Sequence, residues 1–311
     1  MAILVAASFD AADWAAWWPA LCHALPGEQL VRAQGDVSAD AIDVALVANP
    51  TPGSLRDLPR LGFIQSLWAG VDRLLLDPTV PAQVPLARMV DPAMNDAMAQ
   101  TALWAVLSLH RGFFGYATQQ HRALWQAQPW RRADEVGVAV LGLGQMGRRS
   151  ALCLADQGYR VLGWSARPTQ VDGVPTFAGT DALPAVLAQA QVVVNLLPLT
   201  AATRGLFDAA AFAQMPRGAA LVNLARGAHV VEADLLTALA SGQLGHAVLD
   251  VFEHEPLPAG HPFWSHPAVT VLPHVAAPTD PRSAALIAAR NVRAWRAGAE
   301  PAHLVDRSRG Y

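Results

Sequence analysis

The chain has 311 residues, 53% of them hydrophobic and 15% charged, which allows two domains and a large core and leaves apolar surface to bury, in part against a partner subunit. A formal net charge of −3 gives no basic field for nucleic acid or an anionic membrane surface. All 22 cationic residues are arginines, so Schiff-base chemistry, lysine general bases and the phosphate-gripping lysine of nucleotide hydrolases are excluded.

The N-terminal stretch MAILVAASFDAADW has no basic n-region and meets Asp10 and Asp13 early, so it does not read as a signal peptide. Ala2–Ala6 reads as a strand, Ala11–Leu25 as a helix, and Val44–Ala48 and Phe63–Ser66 as further strands, with Pro/Gly-rich loops such as Asn49–Ser54 between them. That alternation predicts a small parallel-sheet α/β domain. A long helix over roughly Asn95–Tyr116 follows. Val138–Leu141 is then a short apolar strand, and helical character resumes from Gln145. Later strands are expected at Arg160–Gly163, Val192–Leu196, Ala220–Leu224, Ala247–Val251 and Val269–Leu272, with helices at Ala182–Ala190, Glu232–Ala240 and Arg282–Arg296. No apolar run reaches membrane-spanning length. The cysteines, Cys22 and Cys153, lie far apart without metal-ligand spacing. The expectation is a soluble protein in a reduced, cytoplasmic setting.

Between Val138–Leu141 and the following helix runs GLGQMG, with Gly142, Gly144 and Gly147. A strand before and a helix after are the context of a dinucleotide fingerprint. Gly142 permits the tight turn, Gly144 the approach of backbone to the pyrophosphate, and Gly147 the close packing of helix on strand. The phosphates then sit at the helix N-terminus, beside Gln145 and Met146. The mid-chain position leaves room for a separate domain before the loop. The layout favours two parallel-sheet domains, a Rossmann dinucleotide-binding domain (99–282) inserted into a flavodoxin-like substrate domain (1–98 and 283–311). Two domains in simple succession is the rival.

An NAD-specific site places an acid at the end of the strand after the third glycine, to hold the ribose 2′-OH. Here YRVLGW is followed by Ser165, Ala166 and Arg167, with no carboxylate until Asp172. A hydroxyl and a guanidinium suit a 2′-phosphate, so NADP (NADPH) is favoured over NAD. A lone arginine is otherwise a solvated loop residue.

Three further residues fall where strands should end: Arg226 after LVNLA, Glu255 past AVLDVF, and His274 after VTVL. Singly they read as a surface charge, a turn acid and a capping histidine. Together they are complementary: a guanidinium binds the carboxylate and ketone of a 2-oxo acid, a histidine supplies the proton after hydride transfer, and a carboxylate orients that histidine. A metal reading of His254, His261, His266 and His274 finds no helical i,i+4 pair and is set aside.

GLGQMG, NLLPLTAATRGL at Asn195–Leu206, NLARGAHVVEADLLTALASGQLGHAVLDVFEHEPLP at Asn223–Pro258 and LPHVAA at Leu272–Ala277 follow one another in family order. The sequence resembles the D-isomer-specific 2-hydroxyacid dehydrogenases, nearest to the bacterial glyoxylate/hydroxypyruvate reductase A type. The resemblance runs from Ile64 to the VDRSRGY tail. It implies that Arg226 binds the substrate, Glu255 pairs with the histidine, and His274 is the acid/base. It implies that Asp250 holds the nicotinamide carboxamide, that Leu197, Pro198, Leu224, Ala225 and Ala276 line the cofactor, and that Thr203 lies near the phosphates. The backbone around Ala69–Gly70–Val71 would cradle the substrate carboxylate. The family further implies a small 2-oxo or 2-hydroxy acid as partner and a homodimer, with the long helix before the glycine loop in its interface. Two departures bear on substrate: Trp68 stands where many relatives carry a small residue, and Ala48–Thr51 lacks the aromatic residue expected of the glyoxylate-active branch. The competing readings are an NAD-linked dehydrogenase of another hydroxy acid and a non-catalytic dinucleotide-sensing protein on the same fold.

Overall fold

The computed structural model describes residues 1–310. The chain divides into two compact units, one formed by Met1–Met94 with Thr279–Tyr311 and the other by Asn95–Pro278.

The first unit carries β1 (Ala2–Ala7), α1 (Ala11–Ala24), β2 (Gln29–Val31), β3 (Ile42–Ala48), β4 (Phe63–Ser66), α2 (Asp72–Leu76) and β5 (Leu86–Ala87). Its sheet has the order β2-β1-β3-β4-β5 with every pairing parallel, the flavodoxin-like order 2-1-3-4-5. β3 is buried along its whole length, as expected of a central strand covered on both faces. α1 starts at a capping box, Asp10 accepting from the Asp13 amide and Asp13 from the Asp10 amide.

The second unit carries β6 (Gly137–Leu141), α5 (Gln145–Asp156), β7 (Arg160–Ser165), β8 (Thr176–Ala178), α6 (Leu183–Leu187), β9 (Val192–Asn195), α7 (Ala209–Gln214), β10 (Ala219–Asn223), α8 (Glu232–Ala240), β11 (Leu244–Leu249) and β12 (Val269–Val271). It is preceded by α3 (Pro92–His110) and α4 (Phe113–His121), and α9 (Pro281–Arg296) returns the chain to the first unit. The sheet order β12-β11-β10-β9-β6-β7-β8, again all parallel, is a Rossmann order extended by one strand, with its switch point between β6 and β9. The expected α/β class with two parallel sheets is therefore the class observed.

One expected element differs. The single helix over Asn95–Tyr116 is two, because Gly112 takes a left-handed φ of 69° and ends the run between His110 and Phe113.

The second unit has a built-in pH dependence. His246 in β11 stacks on Phe114, ring centroids 4.7 Å apart, and its Nε2 lies 2.9 Å from Thr270 Oγ1. Burial, aided by the charge of His266, pushes its imidazole down to about 4 from 6.5. Above 6.5 both folded and unfolded states hold it neutral; as pH falls toward about 4 only the unfolded state takes the proton, so stability falls across that window. A His246→Gln variant is expected to lose less Tm than the wild type between pH 6.5 and 4, with equal losses counting against this assignment.

Candidate active site

At the switch point of the second sheet, the glycine loop is shaped by contacts that admit no side chain. Gly142 has φ +96°, and a Cβ there would lie 2.6 Å from the carbonyl oxygen of Leu196, the residue just past the strand across the switch point. A Cβ on Gly147 would lie 1.7 Å from the Gly142 carbonyl oxygen, so α5 rests directly on the turn. Gly144, the N-cap of α5, has nothing within 4 Å of where its Cβ would be. The turn is thus closed on its protein side and open on the side where the amides of the first helical turn, from Gln145 and Met146 on, face outward. That donor set fits a pyrophosphate. Leu197, Leu224, Ala225 and Ala276 are buried at the same carboxyl edge, and Pro198 is half-buried.

At the end of β7, Ser165 donates from Oγ to the Arg167 carbonyl at 2.6 Å, which shapes the loop around Arg167. Arg167 is exposed, and no carboxylate lies in the chain from Arg160 to Gln170. Thr203 is 8% exposed; its hydroxyl donates to the Pro198 carbonyl at 2.7 Å and accepts from the Thr200 amide at 2.9 Å. It closes the loop after β9.

Arg226, Glu255 and His274 lie beyond the carboxyl ends of β10, β11 and β12, three neighbouring strands. His274 Nδ1 is 2.8 Å from Glu255 Oε2, and Glu255 Oε1 accepts from the Phe252 amide at 3.0 Å. The carboxylate therefore fixes a proton on Nδ1 and leaves Nε2 as the nitrogen free of that pairing. His274 itself has a left-handed φ of 55°. Asp250 imposes it: the Asp250 carbonyl accepts from the His274 amide at 2.9 Å, and its carboxylate oxygens accept from the amides of Val275 at 2.7 Å and Ala276 at 3.0 Å. Asp250 is 1% exposed, and burial raises its carboxyl above the usual range against the pull of those two amides. Gly227 brings Arg226 alongside: a Cβ at Gly227 would sit 1.9 Å from the Phe252 carbonyl carbon, so the Arg226 loop lies flush on the segment leading to Glu255. Arg226 is half-buried, with Nη1 2.7 Å from the Ala225 carbonyl.

The sequence reading missed a buried trio between the loops after β9 and β10. Asn195, Asn223 and His229 are each 0% exposed, and the Asn195 amide nitrogen lies 2.9 Å from both Asn223 Oδ1 and His229 Nδ1. Both asparagines end strands and His229 closes the NLARGAH run, but nothing local in the sequence signals that they meet.

In the first unit, Trp68, Ala69, Gly70 and Val71 link β4 to α2. The Trp68 carbonyl accepts from Ser66 Oγ at 2.9 Å and from the Met89 amide at 3.1 Å. The amides of Ala69, Gly70 and Val71 donate to no described residue. The Trp68 ring packs on Phe9 and Trp17, centroids 6.1 and 5.6 Å away, and so reaches from the end of β4 across β3 to the end of β1.

The four clustered histidines disperse. His261 pairs with Glu232 at 3.2 Å, His266 accepts from the Ala268 amide at 3.2 Å, His274 pairs with Glu255, and His254 is exposed. Among the described residues no group of three or more His, Cys, Asp or Glu is placed to hold a metal ion, and no helix is long and apolar enough to cross a membrane.

Residues 103–276 match the profile of the D-isomer specific 2-hydroxyacid dehydrogenase, NAD binding domain. The chain is 42% identical over 308 residues to glyoxylate/hydroxypyruvate reductase A of Serratia proteamaculans, covering 97% of each. A solved D-isomer specific 2-hydroxyacid dehydrogenase from Xanthobacter autotrophicus Py2, in complex with NADPH and MES, matches at a TM-score of 0.95 with 40% identity over 100% of this chain and 99% of that one. The NADPH-dependent glyoxylate/hydroxypyruvate reductase of Sinorhizobium meliloti, in complex with NADP and sulfate, matches at 0.93 with 34% identity over 99% of each. With a family profile over more than half its length and near-complete coverage by relatives of this identity, the chain belongs to the D-isomer specific 2-hydroxyacid dehydrogenase family and is an NAD(P)-dependent oxidoreductase.

Proposed function

We propose that the protein is an NADPH-dependent reductase of small 2-oxo acids of the glyoxylate and hydroxypyruvate type. The observation that carries this reading is the His274–Glu255 pair at 2.8 Å, set beside the Arg226 loop at one edge of the dinucleotide sheet. When bound, the cofactor supplies the hydride that adds to the 2-carbonyl carbon. Arg226 binds the carboxylate and the carbonyl oxygen through its fixed fork of donors and polarises that carbonyl. As the carbon–oxygen double bond opens, His274 gives its Nε2 proton to the oxygen, and Glu255, bonded at Nδ1, orients the ring for that transfer. The net change consumes one 2-oxo acid, one NADPH and one proton and yields the 2-hydroxy acid and NADP.

The amides of Ala69, Gly70 and Val71, which donate to no described residue, support a carboxylate cradle beside Trp68 and with it a substrate-binding role for the unit Met1–Met94 with Thr279–Tyr311. The lone pairs that Asp250 keeps beyond its two amide bonds suit a nicotinamide carboxamide. Large apolar side chains exposed along α3, α4 and the segment after them, Trp104, Leu107, Phe113, Leu124 and Trp125, support a homodimer that covers them.

The test is a panel of 2-oxo acids assayed with NADPH and with NADH. Turnover of small 2-oxo acids with NADPH preferred is the expected result. No turnover of any member by the folded protein would leave a dinucleotide-binding protein without this activity, and a preference for NADH would make it the NAD-linked enzyme. Arg167→Ala is expected to cut the NADPH preference by about 10- to 100-fold, the worth of one charge-assisted contact to a phosphate, read as the ratio of kcat/KM for the two cofactors. An unchanged ratio would take Arg167 out of the site.

A further inference from the structure

The polarity of the Asn195–Asn223–His229 trio is dictated by backbone groups that have only one role to play. The Leu197 amide can only donate, and it lies 3.2 Å from Asn195 Oδ1. That turns the Asn195 nitrogen toward Asn223 Oδ1 and His229 Nδ1, which must both accept. The imidazole proton then sits on Nε2, 3.3 Å from the Pro198 carbonyl, which can only accept. At the other end the Arg226 carbonyl, again only an acceptor, takes the Asn223 nitrogen at 2.9 Å, leaving Asn223 Oδ1 toward Asn195 and the Ala225 amide at 3.3 Å. Every role along the chain of bonds agrees with the next, and no member reverses without setting donor against donor.

The backbone groups at the two ends belong to different loops, Leu197 and Pro198 after β9, Ala225 and Arg226 after β10. We infer that His229 is a positioning residue that fastens the Leu197–Pro198 segment to the Arg226 loop, so that the wall lining the cofactor and the guanidinium gripping the substrate keep one spacing. This rests on the functional reading above for the roles of those two loops. The imidazole works as a rigid spacer with an acceptor at one corner and a donor at the other. The opposite tautomer would point an N–H at the Asn195 amide, so the spacer fits with its acceptor at Nδ1 and its donor at Nε2. A side chain 0% exposed touches neither substrate nor bulk water, and its effect on the reaction passes through the loops it joins.

The experiment compares His229→Leu with His229→Gln in the full-length protein. Glutamine carries an acceptor and a donor on one group, as the neutral imidazole does, whereas leucine fills part of the volume and supplies neither. His229→Leu is expected to lose on the order of 10²-fold in kcat/KM for a small 2-oxo acid, the cost of about 1 Å of misplacement, while His229→Gln retains most of it. Both are assayed well below their Tm, with folding checked by circular dichroism, so a loss of stability alone does not move the result. A second readout needs no turnover: titration of the NADPH-bound protein with oxalate, a dianion of the shape of a 2-oxo acid. Its affinity is expected to fall about tenfold or more in His229→Leu and to stay near wild type in His229→Gln. Wild-type rates or affinities in a folded His229→Leu, or equal losses in both variants, overturn the inference. A wild-type protein that reduces no 2-oxo acid overturns the functional reading alone, and the oxalate titration still decides the role of His229.

Discussion

Replacing His274 by asparagine is expected to lower kcat with a small 2-oxo acid by about 10²–10⁴-fold, the usual share of a positioned general acid, while NADPH affinity stays close to that of the wild type. Asparagine is the appropriate replacement because His274 sits at φ 55°, a left-handed conformation that asparagine tolerates better than most residues. The clamp of Asp250 on the amides of His274's two successors would survive the change, so the loss reports the missing proton donor and not a displaced loop. The measurement is steady-state turnover beside an NADPH titration. A rate within a few-fold of wild type would show that another group supplies the proton, and weakened NADPH binding in equal measure would show that the loop had moved.

Removing the guanidinium of Arg226 should be as damaging by a different route. Arg226→Ala takes away a half-buried cation whose fork is proposed to hold both the carboxylate and the carbonyl oxygen of the substrate. At about 1.5–3 kcal/mol for each hydrogen bond between charged partners, the loss in kcat/KM is on the order of 10²-fold or more. Arg226→Lys restores the charge without the planar pair of donors and is expected to recover only part of it. Saturation kinetics across a panel of acids checks this, because the penalty should be far smaller for an uncharged carbonyl compound. A penalty independent of substrate charge would mean that Arg226 serves the fold and not the ligand.

The sequence made the glycine loop legible because its requirements are local: a β-branched strand, three glycines at fixed spacing and a helix, all within one short stretch. The long parallel strands were equally plain, since burial on both faces leaves near-continuous apolar runs such as those of β3 and β9. β2, β5 and β8 give no signal because two or three residues show no period and, unlike the three-residue β12 with its β-branched VTV, they carry no β-branched run. The break at Gly112 was missed because a glycine is tolerated inside a helix often enough that only the backbone angle reveals the stop. Arg226, Glu255 and His274 were found because each follows a recognisable strand. His229 was not, although it stands three residues from Arg226. Its partners come from the ends of two neighbouring strands, and the pairing of parallel strands is a property of the sheet that no stretch of sequence displays.

The discontinuity of the first unit also means that its parts are made on either side of the whole second unit. Its sheet is complete by Ala87, yet α9, which lays Ala284, Ala288, Ala289 and Val292 into the interior and stacks Trp295 on Phe63, comes from the far end of the chain. The second unit is continuous and has all its strands once Val271 has left the ribosome. One face of the first sheet is closed by residues of the N-terminal segment itself, Ala2, Leu4, Ile42, Ile64 and Leu86 among them, whereas the α9 face can be completed only after the whole second unit has been made. A chain ending near Pro278 would contain every strand of both sheets and yet lack the helix that covers the β4 side of the first, around Phe63 and Gln65.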